Sequence, residues 1–140
     1  MLTVEQILMV KGPDVIVASS NTTVRDAVKM MAQANVGSVI IKDGEDVCGI
    51  FTERDALRRV IAPDKNPNTT SLADVMSAPV ASCGLADDTR EVAARLTSQH
   101  IRHLAVIEDG VLIGLVGLRD VMAAELRDKE RQIKDFKDQG

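Results

Sequence analysis

Residues 24–55, VRDAVKMMAQANVGSVIIKDGEDVCGIFTERD, and residues 89–120, TREVAARLTSQHIRHLAVIEDGVLIGLVGLRD, are two copies of one pattern. They align without a gap at an offset of 65 positions. Self-similarity at a fixed spacing marks a repeated structural unit, so the sequence predicts two similar units packed face to face. Only four aligned pairs are identical, but apolar residues coincide throughout; the identical pairs are Arg25/Arg90, Gly49/Gly114, Arg54/Arg119 and Asp55/Asp120.

Each copy predicts the element order β-α-β-β-α from its hydrophobic periodicity, which gives an α+β fold class. Copy one predicts a strand at 15–17, a helix at 24–34, strands at 38–41 and 47–51 around a turn at 42–46, and a helix at 53–61. Copy two predicts a strand at 80–82, a helix at 90–99, strands at 103–107 and 112–116 around a turn at 109–110, and a helix from Leu118.

The domain organisation follows from these copies. Residues 1–62 form repeat 1, the Pro- and Asn-containing segment 63–70 is a linker, and residues 71–127 form repeat 2. Residues 128–140 form a charged helical tail whose apolar stripe is thin, so it is either a solvated helix or a weak dimer seam.

Composition and charge argue against several classes of function. The chain has 140 residues, a net charge of −4 and two Phe as its only aromatic residues, which argues against nucleic-acid binding. Its longest apolar run, residues 111–118, is too short to cross a bilayer, and the first twelve residues do not resemble a secretory signal. Two Cys and two His are too scattered for a familiar zinc site, and two isolated Cys predict a reducing, cytoplasmic setting.

The candidate functional residues lie where the last strand of each copy becomes a helix. In copy one, Thr52 followed three residues later by Asp55 has two explanations, and the first is a helix-capping box. The same pair could instead bind a ribose, because a carboxylate beside a hydroxyl at a helix N-terminus can accept both hydrogens of a cis-diol. Copy two keeps the acid as Asp120 but has Gly117 in place of the hydroxyl residue. An Asp without a capping partner favours the ligand interpretation.

The doubled β-α-β-β-α unit resembles a tandem pair of cystathionine-β-synthase (CBS) domains, or Bateman module, over about residues 1–127. The motifs that carry the resemblance are the Gly49–Asp55 junction and the strand entry IRHL at 101–104. The resemblance implies two repeats packed as a pseudo-twofold pair that bind an adenosyl ligand, namely AMP, ADP, ATP, NAD(H) or S-adenosylmethionine, in clefts between them. It also implies a homodimer that reports ligand level to a protein the sequence does not name.

The resemblance assigns residues to two clefts. Cleft A would hold ribose on Thr52 and Asp55 and phosphate on Arg102 and His103; adenine would contact Ile50, Pro79, Val80 and Ala81. Cleft B would combine Asp120 with Val15, Ile16, Val36, Gly37 and Ser38. Cleft B lacks the hydroxyl and the basic pair, so cleft A is expected to bind a phosphorylated ligand more tightly. One departure is Ala105, where the family commonly has Pro.

The sequence therefore predicts a non-enzymatic regulatory domain pair with no obligatory cofactor, no metal and no catalytic residues. One alternative is a structural dimerisation module in which Thr52 and Asp55 only cap a helix. A small enzyme that hydrolyses or cyclises nucleotides is a weaker alternative, because no paired carboxylates or activated nucleophile accompany the predicted site.

Overall fold

A computed structural model describes residues 1–12 and 15–139 and contains two three-stranded sheets with helices around them. The helices are α1 (Val4–Lys11), α2 (Val24–Ala34), α3 (Glu53–Asp55), α4 (Leu72–Val75), α5 (Thr89–Ser98) and α6 (Leu118–Gln139). The strands are β1 (Val17–Ala18), β2 (Ser38–Asp43), β3 (Asp46–Thr52), β4 (Ser82–Cys83), β5 (His103–Glu108) and β6 (Val111–Gly117). The α+β class and the predicted element order are confirmed.

The two sheets have the same register at the offset found in the sequence. In each sheet a short strand pairs parallel to the second strand, which forms an antiparallel hairpin with the third. Ser38 faces Thr52 in one hairpin, and His103 faces Gly117 in the other. Each hairpin has a register shift at the matching place, after Ile41 and after Val106. The turn predicted at 42–46 is shorter, since β2 continues to Asp43 and β3 begins at Asp46.

The chain folds into two compact units that divide it differently from the sequence repeats. Unit 1 contains residues 1–12 and 81–139 of the described chain, and unit 2 contains residues 15–80. Helix α1, which precedes repeat 1, belongs to the core of unit 1 because it buries Val4, Ile7 and Leu8 against residues of repeat 2. In unit 2 the corresponding cover is α4, which buries Leu72 and Val75.

Segment 63–70, predicted as a linker, is tied into unit 2 by its backbone. The amide of Val24 donates to the Thr70 carbonyl at 2.9 Å, and the amide of Arg25 donates to the Pro67 carbonyl at 3.0 Å. These bonds satisfy amides at the start of α2, where a helix has no partners of its own for them.

Two predicted helices differ in detail. The helix predicted at 53–61 begins as the short α3 and continues as a π-helix over Ala56–Ile61, where the Ala62 amide reaches the Leu57 carbonyl at 2.9 Å. The charged tail is not a separate element, since α6 runs through it to Gln139 with Leu126, Ile133 and Phe136 exposed. No helix within residues 1–12 and 15–139 has the length and apolar character of a membrane span.

Candidate functional site

The Asp55 corner, residues 52–55 of unit 2, is where β3 becomes α3. Thr52 is the N-cap of α3, and its hydroxyl oxygen accepts a hydrogen bond from the Asp55 amide at 3.2 Å. In return, Asp55 Oδ2 accepts from the Thr52 amide at 3.0 Å and lies 3.2 Å from the Thr52 hydroxyl. The capping box that the sequence offered as one explanation of this pair is therefore formed.

The second oxygen of the Asp55 carboxylate faces a hydroxyl and a guanidinium. The Ser77 hydroxyl donates to Asp55 Oδ1 at 3.0 Å, and Arg59 Nε lies 3.6 Å from the same oxygen. Asp55 is 6% exposed, so these neighbours supply most of its surroundings. The Ser77 hydroxyl is neutral and can be exchanged for another hydroxyl without uncovering a charge.

A close backbone approach holds Ser77 beside the corner. Ile50 and Ser77 exchange two backbone hydrogen bonds, at 2.9 and 2.8 Å. Gly49 permits this approach, because a Cβ there would lie 2.9 Å from the Ser77 carbonyl oxygen. Pro79 and Val80 follow directly in the chain; Pro79 is exposed and Val80 is partly buried.

The Asp120 corner, residues 117–120 of unit 1, lies where β6 becomes α6 and has a different set of partners. Asp120 Oδ2 accepts from the Gly117 amide at 2.8 Å and from Lys11 Nζ at 2.9 Å. Lys11 Nζ also donates to the Leu115 carbonyl. The Asp120 carboxylate therefore caps a backbone amide and pairs with an ammonium within its own unit, although copy two has no hydroxyl partner for it. The assignment of Asp120 to a ligand in cleft B stays a prediction.

The absence of a hydroxyl at Gly117 has a packing reason. A Cβ at Gly117 would lie 3.0 Å from the Arg102 carbonyl oxygen and 3.1 Å from Cδ2 of His103, its cross-strand partner. In unit 2 the equivalent cross-strand pair is Ser38 and Thr52, two small residues. In unit 1 the same position pairs the large His103 with glycine.

The His103 ring is largely buried, and this sets its charge. Burial is the main cause that lowers the pKa of His103; the nearby cation Lys11 lowers it further, Asp120 opposes the shift, and Arg102 adds to the lowering. Nδ1 is buried and has no hydrogen-bond partner within residues 1–12 and 15–139. His103 is consequently neutral at neutral pH, so the expected basic pair with Arg102 contains one cation.

We expect His103 to make the protein less stable as the pH falls. The lowered pKa means that the unfolded chain binds a proton at this residue more readily than the folded chain does. The free energy of unfolding should therefore decrease as the pH falls below about 6.5, the unfolded value for histidine. Urea unfolding from about pH 7.5 to about pH 5.5 should show a smaller decrease for His103→Gln than for the wild type.

The matched control for this measurement is the other histidine, His100, which is exposed. His100→Asn suits the positive φ of 54° at that position and should leave the pH dependence unchanged. Equal pH slopes for the wild type and His103→Gln would contradict the assignment.

The structure groups the predicted site residues by unit. Unit 2 contains most of them, and Gly37 lies directly beside the Asp55 corner, since its carbonyl accepts from the Glu53 amide at 3.0 Å. Ile16 pairs through its carbonyl with the Ile40 amide. The predicted grouping into cleft A and cleft B combines residues of both units and stays a prediction. Unit 2 holds Val15, Ile16, Val36, Gly37, Ser38, Ile50, Thr52, Asp55, Pro79 and Val80, and unit 1 holds Ala81, Arg102, His103 and Asp120.

The departure at Ala105 has a structural consequence. Its amide donates to the Ala81 carbonyl at 2.9 Å, and this bond joins β5 to the chain entering β4. Proline has no amide hydrogen, so it could not make this bond.

Sequence reasoning missed Ser77, Arg59 and Lys11. Arg59 stands four residues after Asp55, a spacing that places two side chains on one face of a helix and could have indicated the ion pair. Ser77 and Lys11 are distant from their carboxylates in sequence, and no local pattern connects them. No cluster of three His, Cys, Asp or Glu that could hold a metal ion occurs in the described part of the chain.

Comparison with known proteins identifies the family to which the chain belongs. The CBS domain family model matches residues 4–62 and 72–127, so the chain belongs to the CBS-domain family and carries the domain twice. The mitochondrial CBS domain-containing protein CBSX3 of Arabidopsis thaliana is 35% identical over 121 residues, or 83% of this chain. The chain spans 59% of the length of that relative.

Two solved structures show the same fold. A protein with CBS domains from Burkholderia ambifaria is 34% identical, with a TM-score of 0.86 over 91% of this chain and 96% of its own. A CBS domain protein from Pyrobaculum aerophilum, solved as a complex with AMP, has a TM-score of 0.75 at 21% identity, over 85% of this chain and 89% of its own.

Proposed function

We propose that this CBS-domain pair is a regulatory module that binds an adenine nucleotide and reports its level to a partner protein. The observation that carries the proposal is the Asp55 corner, where a carboxylate at the start of a helix faces a neutral and replaceable hydroxyl. A ribose diol can take the place of the Ser77 hydroxyl at Oδ1 and add a second bond.

The other ligand contacts are proposed from the resemblance. Ile50, Pro79, Val80 and Ala81 are the proposed contacts of the adenine ring, and Arg102 and His103 are those of the phosphate. Arg102 is exposed and charged, whereas His103 is neutral and would donate or accept a hydrogen bond only. The phosphate would therefore depend more on Arg102 than on His103.

The fold supports this ligand class, since the Pyrobaculum aerophilum protein with the same fold is complexed with AMP. ADP, ATP, NAD(H) and S-adenosylmethionine present the same ribose diol and remain candidates. Signalling requires only that the ligand bind two arrangements of the protein with different affinity. We further propose that the pair acts without catalysis, as a homodimer and in the cytoplasm.

The second candidate function is a structural dimerisation module without a ligand. The observation that favours it is the capping box itself, because Thr52 and Asp55 already have a structural role. The two functions differ in whether the folded protein binds a nucleotide.

A thermal-shift panel separates these two functions. At a free ligand concentration of about 100 Kd, a nucleotide that binds only the folded protein raises the free energy of unfolding by about 2.7 kcal/mol. We expect AMP or another adenosyl ligand among ATP, NADH and S-adenosylmethionine to raise the melting temperature, while adenine-free ribose 5-phosphate at the same concentration does not. A panel with no shift for any adenosyl ligand would contradict the proposal and favour the structural module.

A further inference from the structure

Lys11 occupies the carboxylate of unit 1 that corresponds to Asp55. Its ammonium donates to Asp120 Oδ2 at 2.9 Å and to the Leu115 carbonyl. The Lys11 and Asp120 side chains are 32% and 26% exposed, so water reaches the pair only in part. The helix that carries Lys11 is anchored by the buried Val4, Ile7 and Leu8, which fixes the origin of the lysine side chain.

Ser77 holds the equivalent place in unit 2. Leu115 matches Ile50 in the repeat, and the Ile50 carbonyl accepts from the Ser77 amide at 2.8 Å. The Ser77 hydroxyl then donates to Asp55 Oδ1 at 3.0 Å. In unit 1 the Lys11 ammonium makes both kinds of contact, but it bonds Asp120 Oδ2, the oxygen that also accepts from the Gly117 amide. The Asp55 corner has a neutral hydroxyl on Oδ1 with a guanidinium 3.6 Å away, whereas the Asp120 corner has an ammonium in direct hydrogen-bond contact at 2.9 Å.

We infer that Lys11 is a specificity-determining residue that withholds the Asp120 corner from a ribose diol, so that each chain binds one nucleotide. This inference rests on the proposed function, because it assigns which of the two matching corners the nucleotide uses. The sequence analysis attributed weaker binding at this corner to the missing hydroxyl at Gly117. The Lys11 ammonium is a second reason, and the sequence pattern does not reveal it.

The chemistry of exchange differs between the corners. A diol that enters the Asp55 corner replaces one neutral hydroxyl by another, while Arg59 at 3.6 Å can remain where it is. A diol that bonds both oxygens of Asp120 must compete for Oδ2 with an ammonium that already donates to it at 2.9 Å. A hydrogen bond from a charged donor to a carboxylate is roughly twice as strong as one between neutral groups, so the exchange is unfavourable. The released ammonium would also lose the Leu115 carbonyl.

Calorimetric titration with AMP of the full chain tests this inference. The wild type should bind one AMP per chain, and Asp55→Asn should remove that binding. Lys11→Met keeps the aliphatic stem but removes the ammonium; it should bind a second AMP, with Kd at the Asp120 corner lowered by about tenfold or more. The double variant Lys11→Met/Asp120→Asn should return to one AMP per chain.

Three variants control the titration. Lys11→Arg retains a cation and should bind one AMP, while Lys29→Met removes the same charge from an exposed position on α2 and should also bind one. If Lys11→Met does not fold, Lys11→Gln replaces it, since its amide can still donate to the Leu115 carbonyl.

The outcomes separate the inference from the proposed function. Binding of only one AMP per chain by folded Lys11→Met would overturn the inference but not the proposed function. Binding of two AMP per chain by the wild type, with the second lost in Asp120→Asn, would do the same. Absence of binding by both the wild type and Lys11→Met, with AMP and with each other adenosyl ligand of the thermal-shift panel, would overturn the proposed function, and the inference with it. Binding to Lys11→Met through Asp120, without binding to the wild type, would support the inference and contradict the assignment to Asp55.

Discussion

Replacing Phe51 with Ala is expected to lower the free energy of unfolding by about 3–5 kcal/mol, the usual range for removal of a buried aromatic ring. Phe51 lies on β3 and is 0% exposed. It faces Val39 across the hairpin and packs in the core of unit 2 with residues of α2 and α4. Its removal deletes apolar contacts and leaves a cavity directly before Thr52, so urea unfolding should show a midpoint at much lower urea.

The only other Phe in the chain provides the matched control. Phe136 lies on α6 and is 78% exposed, so Phe136→Ala should change the free energy of unfolding by less than about 0.5 kcal/mol. Similar losses in the two variants would contradict the placement of Phe51 in the core.

The hairpins could be predicted from sequence because each consists of two short apolar runs separated by turn residues. β2 and β5 are buried over consecutive residues, Ser38–Ile41 and Leu104–Val106, so the signal is a continuous apolar run rather than an alternation. Copy two repeats these runs at the same offset, and Ser38–Thr52 and His103–Gly117 occupy matching register positions.

The division into packing units could not be predicted, because it depends on contacts between residues far apart in the chain. Helices α1 and α4 are both short and carry apolar residues at similar spacing, so either could cover either core by local criteria. The structure settles the choice through bonds such as that from the Val4 amide to the Asp87 carbonyl, at 3.0 Å.

The position of the two candidate corners could be predicted from the sequence, but the groups that contact their carboxylates could not. The strand-to-helix corners and their carboxylates are local patterns, and the capping box at Thr52 and Asp55 was one of the two explanations offered by the sequence. The groups that satisfy the carboxylates, Ser77 and Lys11, come from segments that only the tertiary fold brings near. For this reason the sequence could not explain why copy two has an Asp at position 120 although Gly117 provides no hydroxyl.

Replacing Asp55 with Asn is expected to abolish the stabilisation by AMP, which is about 2.7 kcal/mol at 100 Kd. The Asn amide has one acceptor oxygen, and the Thr52 amide competes for it, so the side chain cannot accept both hydroxyls of a diol. The variant should also lose about 1–3 kcal/mol of stability, because Ser77 and Arg59 face a weaker partner. Each variant must therefore be compared with and without ligand, by thermal unfolding.

The control for Asp55→Asn is Asp120→Asn, the matching change in unit 1. Since Asp120 is paired with Lys11, its replacement should leave the shift produced by AMP intact. A melting-temperature shift with AMP that survives Asp55→Asn but is lost in Asp120→Asn would place the ligand at the Asp120 corner and contradict its assignment to Asp55.

The most direct test of the central claim, that the Asp55 carboxylate binds a ribose diol, is calorimetric titration of the wild type and Asp55→Asn with AMP and with its 2′,3′-dideoxy analogue. A hydrogen bond to a charged group contributes about 1.5–3 kcal/mol, so each hydroxyl should account for roughly a ten- to hundredfold change in Kd. We predict that the wild type binds AMP far more tightly than the dideoxy analogue, and that Asp55→Asn does not distinguish the two. Equal affinity of the wild type for both ligands would contradict the claim.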